Sequence, residues 1–182
     1  MANPLKASLE RFRKMLAVCH HWRGFVDALN PWDQATARQH IYFDGLPPPA
    51  GADHTLEELT ALRPFVICWH DLAGGFTQSA ASAGACIQNS GRIIAQFEFE
   101  VPESLADRNP HTVADYCNEK LGAILGPTGN AAEPGLWDLH RQGGYLFLQD
   151  SSFYGYERTE SKDVAALGDI IVAELHINWG VQ

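Results

Sequence analysis

The sequence predicts an α+β domain, a mostly antiparallel sheet of about four to six strands with two main helices packed on one face. Three observations point there. Apolar residues recur at steps of three and four near the N-terminus and again over 111–125. They alternate strictly with polar residues over 91–101 and again near the C-terminus, the period of a strand with one wet face. The helical patterns fall first and in the middle, which leaves the strands to join through hairpins or across one helix.

Asn3 can cap free amides and Pro4 loses no hydrogen bond at a first helical position, so a helix opens there. Leu5, Leu9, Phe12, Leu16, Cys19 and Val26 form its apolar stripe, widened by Met15, Trp22 and Leu29, until Asn30-Pro31 ends it. Residues 31–62 read as a long connector, because Asp44-Gly45 signals a turn and Pro47-Pro48-Pro49 continues neither regular structure. Ile41-Tyr42-Phe43 is a short strand within it, and Thr55 with Glu58 forms the capping box of a helical turn.

Arg63-Pro64 resets the chain to an extended state, and Phe65 to His70 is a compact β run. Residues 74–84, small and glycine-rich, read as a mobile loop with too little apolar surface to pack. In the next strand Ile93, Ala95, Phe97, Phe99 and Val101 face one side, and Arg92, Gln96, Glu98 and Glu100 the other. His111 to Leu125 is the second main helix, capped by Asn109 or Thr112 and stopped by Gly126-Pro127, with Val113, Tyr116, Cys117, Leu121, Ile124 and Leu125 inward.

A short helix is expected within Pro134 to Gln142. Tyr145 to Gln149 and Phe153 to Thr159 are expected to form a hairpin around Asp150-Ser151-Ser152. In the last segment Ile171, Ala173, Leu175, Ile177 and Trp179 alternate with Val172, Glu174, His176 and Asn178. Its opening, Gly168-Asp169-Ile170-Ile171, echoes Gly91-Arg92-Ile93-Ile94 and marks the two strands as sheet neighbours. The match is too short for a duplicated repeat.

At 182 residues the chain suits a single domain, 1–182, that buries a core without disulfide or metal staples. Its 46% hydrophobic and 19% charged residues exclude wholesale disorder. A net charge of −9 argues against tight nucleic-acid binding, which needs clustered cations. The one basic cluster, Arg11, Arg13 and Lys14, reads as a solvated helix face. Cys19, Cys68, Cys86 and Cys117 are irregularly spaced, and no signal-peptide pattern opens the chain, so four thiols in a reducing cytoplasm are expected. No apolar run approaches the roughly 20 residues that cross a bilayer.

Complete chemical signatures are missing. His20 and His21 point about 100° apart on a helix, unlike zinc ligands three or four positions apart, so no metal site is expected. No Gly-Lys-Ser/Thr follows Gly74-Gly75 or Gly84, and no dinucleotide fingerprint or nucleophile elbow occurs; no cofactor is expected. Cys68 and His70 share one strand face, so a thiolate–imidazole hydrolase can be drawn, against a buried Cys68 as the ordinary alternative. Trp69, Tyr145, Phe147 and Tyr154 would ring a pocket in a small-ligand-binding or regulatory domain. Glu98 and Glu100 stand about 7 Å apart on one strand face, so a paired-acid hydrolase can be sketched, against a solvated sheet face as the ordinary alternative; with Glu103 they could instead line an acidic surface along which another polyanion passes without sticking.

The order of elements resembles the tail-terminator and neck, or head-tail completion, proteins of long-tailed bacteriophages. An N-terminal amphipathic helix and a Pro-rich connector precede Arg63-Pro64-Phe65-Val66-Ile67; the strand Gly91 to Val101, the helix 111–125 and a final strand ending Leu175-His176-Ile177-Asn178-Trp179-Gly180 follow. The resemblance implies a non-catalytic, cofactor-free subunit of a virion assembled in the bacterial host cytoplasm. It implies a ring, expected to be hexameric, that contacts tail-tube subunits on one side and head-completion proteins on the other. Closure needs a heterologous head-to-tail interface. The candidate contact surfaces are the 74–84 loop with Gly74, Gly75 and Gly84, and the connector over 44–54; Glu98, Glu100 and Glu103 are the candidate lumen residues. The long connector and the insertion-like stretch 126–144 depart from small terminators and leave terminator and adaptor roles both open.

Overall fold

A computed structural model describes residues 4–27, 29, 34–43, 63–72, 77–80, 87–100, 105, 110–140, 145, 147–159 and 170–181. The helices are α1 (Pro4–Val18), α2 (His20–Phe25), α3 (Gln34–Gln39), α4 (Pro110–Leu125) and α5 (Leu136–Leu139). The strands are β1 (Ile41–Phe43), β2 (Phe65–His70), β3 (Thr77–Ala80), β4 (Ile87–Glu100), β5 (Phe147–Thr159) and β6 (Ile170–Val181). They form one sheet in the order β1-β2-β4-β6-β5, with β3 on the far end of β4; only β1 and β2 run parallel. The fold is α+β with a mostly antiparallel sheet, as the alternation and the helical stripes require. Among the described residues no helix is long and apolar enough to cross a membrane.

The spine is β4 against β6, paired antiparallel from Asn89↔Val181 to Glu100↔Ile170. Every inward residue of one meets an inward residue of the other: Ile93 opposes Ile177, Ala95 Leu175, Phe97 Ala173 and Phe99 Ile171, all buried. Each of the five helices among the described residues places residues in the same cluster, including Phe12, Trp22, Ala37, Leu121 and Leu136, so they cover one face of the sheet. Burial on that scale supplies the main drive to fold, at about 25 cal/mol per Å² of apolar surface.

Five expectations are corrected. The first helix does not run to Leu29. At Cys19 the backbone leaves helical space (ψ 120°), and the His20 N–H turns away to the Pro134 carbonyl at 2.9 Å. Asp27 then adopts a left-handed φ of 54°, a conformation Asp tolerates better than most residues, and Leu29 comes out 49% exposed. Residues 77–80 of the expected loop are instead β3, paired with Ile87–Ser90; backbone ladder bonds make that strand without an apolar pattern. Gly74, Gly75 and Gly84 lie outside the described residues, as do 44–54 and the capping box at Thr55 and Glu58.

The expected hairpin at Asp150-Ser151-Ser152 is one continuous strand. β6 offers a partner edge along its whole length, and β5 absorbs the polar segment through register shifts at Leu148/Asp150 and Phe153/Gly155. The basic cluster is not one solvated face either. Lys14 is exposed and Arg11 half-buried, but Arg13 is 2% exposed, 4.9 Å over the Phe43 ring and 3.6 Å from Glu10. Burial pulls the Arg13 guanidinium below its ordinary pKa, while Glu10 opposes that shift. The connector 31–62 also contains α3, whose sequence shows no apolar stripe because it buries Ala37 alone.

Candidate functional site

The sheet face turned away from the helices carries the polar chemistry. Register sets it out in rows: Trp69, Ile94 and His176 align across β2, β4 and β6; Ile67, Gln96 and Glu174 form the next row; Phe65, Glu98 and Val172 the third. The face is therefore divided. Phe65, Ile67, Trp69 and Ile94 make an apolar half over β2 and β4, and Gln96, Glu98, Glu174, His176 and Asn178 make a polar half over β4 and β6.

Side-chain contacts fix the polar half. Glu98 lies 3.6 Å from the Arg63 guanidinium and accepts a hydrogen bond from Gln96 Nε2 at 3.2 Å. Arg92 donates through Nε to Asn178 at 3.0 Å and stands 3.5 Å from Asp71. His176 Nε2 is 3.3 Å from the Glu174 carboxylate. Asp71, Glu98, Glu100 and Glu174 outnumber Arg63 and Arg92, so the face is net acidic among the described residues. Of the acidic residues singled out in the sequence, Glu98 and Glu100 share this face, Glu98 half-buried in its ion pair and Glu100 exposed. Glu103 lies outside the described residues.

Cys68 and His70 do share a strand face, and it is the core face. Cys68 is wholly buried opposite Ala95, and burial pushes its thiol well above the ordinary value, against the weaker pull of Arg13. His70 Nε2 lies 2.9 Å from the Leu5 carbonyl and 3.0 Å from Ser8 Oγ. A carbonyl only accepts, so Nε2 carries the proton. The Ser8 hydroxyl itself donates to Leu5 O at 2.7 Å. The imidazole thus pins the first turn of α1 to the end of β2 and offers Cys68 no base through Nε2.

Cys19 and Cys117 are also free thiols raised by burial, each to about 11. Thiolate is the reactive form. A maleimide applied to the native protein at pH 8 is therefore expected to leave Cys19, Cys68 and Cys117 unlabelled until denaturant is added, as read by peptide mapping. Rapid native labelling of Cys68 would restore the thiolate–imidazole reading.

The four aromatic residues drawn around a pocket are not brought together on one face. Trp69 sits half-buried on the outer face, while Tyr145 packs against the core cluster. The side chains of Phe147 and Tyr154 are not among those described. A concave feature that the described residues do form lies elsewhere, between α2 and α4. Sequence reasoning missed it because its walls come from helices that α2's break at Cys19 reorients. The sheet-face ion pairs were equally hidden, since Arg63 meets Glu98 only through the β2–β4 register. No protein-family model matches the chain, and no curated protein matches it significantly.

Proposed function

We propose that this chain is a structural subunit of a phage or prophage tail or neck assembly, tail-terminator-like and ring-forming, that binds tail-tube or head-completion proteins. The observation that carries the reading is the divided outer face of the sheet. Among the described residues the helices lie on the other side, so the apolar strip of Ile67, Trp69 and Ile94 suits packing on a neighbouring subunit, and the net acidic strip beside it suits a lumen along which nucleic acid passes. A head-to-tail contact of that kind closes a ring without a two-fold axis. The element order, with an amphipathic helix ahead of a β2–β4–β6 sheet and α4 between β4 and β6, supports the same class.

Light scattering over a concentration series at moderate salt tests it. The expected result is a discrete ring-sized species, or a monomer that assembles as concentration rises, with Trp69→Glu shifting the population to monomer while circular dichroism stays unchanged. A strict monomer or dimer at every concentration would remove the ring and with it this reading.

A further inference from the structure

Between α2 and α4 lies a groove of about 530 Å³, lined by His20, His21, Phe25, Tyr116, Glu119 and Lys120 among others. That volume falls in the range of small-molecule sites, roughly 300–1,000 Å³. Its aromatic wall is tied to the core. Phe25 meets Phe99 edge-on at 5.0 Å, and Phe99 lies 6.1 Å from the Tyr116 ring, so both groove aromatics rest on one buried residue of β4. A wall held this way is preorganised, and a ligand ring placed against it orders little on binding.

The polar lining holds one ammonium and one carboxylate, and they differ in exposure. Lys120 Nζ stands 5.3 Å over the Tyr116 ring and 3.8 Å from Glu119, whose side chain is 74% exposed. An ion pair on the solvent side is worth little and yields readily to a better-placed anion. His20 and His21 stack edge to face at 5.4 Å on the facing wall, with His20 Nε2 3.9 Å from Glu133, beyond hydrogen-bond range. Burial raises the Tyr116 phenol, with Cys117 and Glu119 acting in the same direction, so at neutral pH it remains an O–H donor. The groove therefore presents a cation, a phenol and imidazole N–H groups beside flat aromatic surface.

We propose that this groove binds a small aromatic carboxylate, its ring against Phe25 and Tyr116 and its carboxylate on Lys120. A cationic ligand would meet Lys120 with only the outward Glu119 in compensation. A purely apolar ligand would cover the ammonium without offering it an acceptor. For a metal ion, no group of three His, Cys, Asp or Glu side chains converges among the described residues. The site lies on the helical side of the molecule and stands apart from the assembly reading.

The full chain can be titrated with 2-naphthoate and, separately, with its cationic counterpart 2-naphthylmethylamine, following ligand fluorescence anisotropy. Saturable sub-millimolar binding of the acid is expected, about tenfold or more tighter than the amine, as one charge-assisted hydrogen bond implies. Lys120→Met, at a partly exposed helix position, is expected to weaken the acid about tenfold with an unchanged circular dichroism spectrum. Ala123→Phe fills the groove and is expected to abolish binding of both. No saturable binding, equal affinity for acid and amine, or an acid affinity indifferent to Lys120→Met in a folded variant would each overturn the proposal.

Discussion

Replacing Trp22 with alanine is expected to lower the unfolding free energy by about 4 kcal/mol, within the range of about 3–5 kcal/mol for buried Trp truncations. The indole is fully buried and joins three elements. It stands edge-on to Phe97 of β4 at 5.5 Å and to Phe25 of its own helix at 6.1 Å, and its Nε1–H donates to the Ala37 carbonyl of α3 at 3.3 Å. Truncation therefore opens a cavity and leaves a carbonyl without its indole donor. A domain of this size has about 5–15 kcal/mol in hand, so urea denaturation should show the midpoint falling by about a quarter or more. Trp22→Phe separates the two contributions: it keeps most of the volume and loses the hydrogen bond, and is expected to cost only about 1–2 kcal/mol. A loss below about 1 kcal/mol for the alanine variant would mean that α2 does not lie on β4.

Trp22 also shows where a sequence is readable and where it is not. Its place on the inner stripe follows from helical periodicity, as do Leu9, Phe12 and Leu16; the alternation in β4 and β6 likewise assigns Ile93, Phe97, Leu175 and Trp179 to the core. Periodicity reports which face of an element is buried. It does not report where the chain turns, and the break at Cys19 has no local signal because its cause is the remote Pro134 carbonyl that takes the His20 N–H. β3 escaped for a related reason, since its pairing with β4 is a backbone matter. The polar Asp150-Ser151-Ser152 imitated a turn because β5's register shifts cannot be seen without β6 beside it. For the site, the shared face of Glu98 and Glu100 was legible from a two-residue spacing. The ion pair of Arg63 with Glu98, the division of the face into apolar and polar halves, and the α2–α4 groove all depend on which segments meet, and local patterning carries none of that.

The same remote closure underlies the second large effect. Gly135→Ala is expected to destabilise the protein by about 3 kcal/mol, the upper part of the usual range for overpacking. The backbone there is ordinary, with φ −83° and ψ 177°, so any residue accepts the conformation. What glycine permits is approach: a Cβ at 135 would overlap the Gly126 carbonyl oxygen and sit 3.4 Å from that of Ala123. Both are backbone atoms at the end of α4 and cannot rotate aside. Moving 135 also strains its neighbours. Pro134 holds the first N–H of α2, and the Gly135 N–H is bound at 2.9 Å by Asp138, whose carboxylate also accepts from the Thr128 N–H and hydroxyl. Burial pushes the Asp138 carboxyl up, but these hydrogen bonds outweigh it and hold it below the usual value. Gly129 supplies the internal comparison. It has a left-handed φ of 66° and open space around it, so Gly129→Ala costs only the conformational term, about 1 kcal/mol. Thermal denaturation of the two variants side by side should therefore separate them by several degrees, with Gly135→Ala the lower. Equal midpoints would mean that the ends of α4 and α5 can part without consequence, and α2 would then need some other anchor for its first turn.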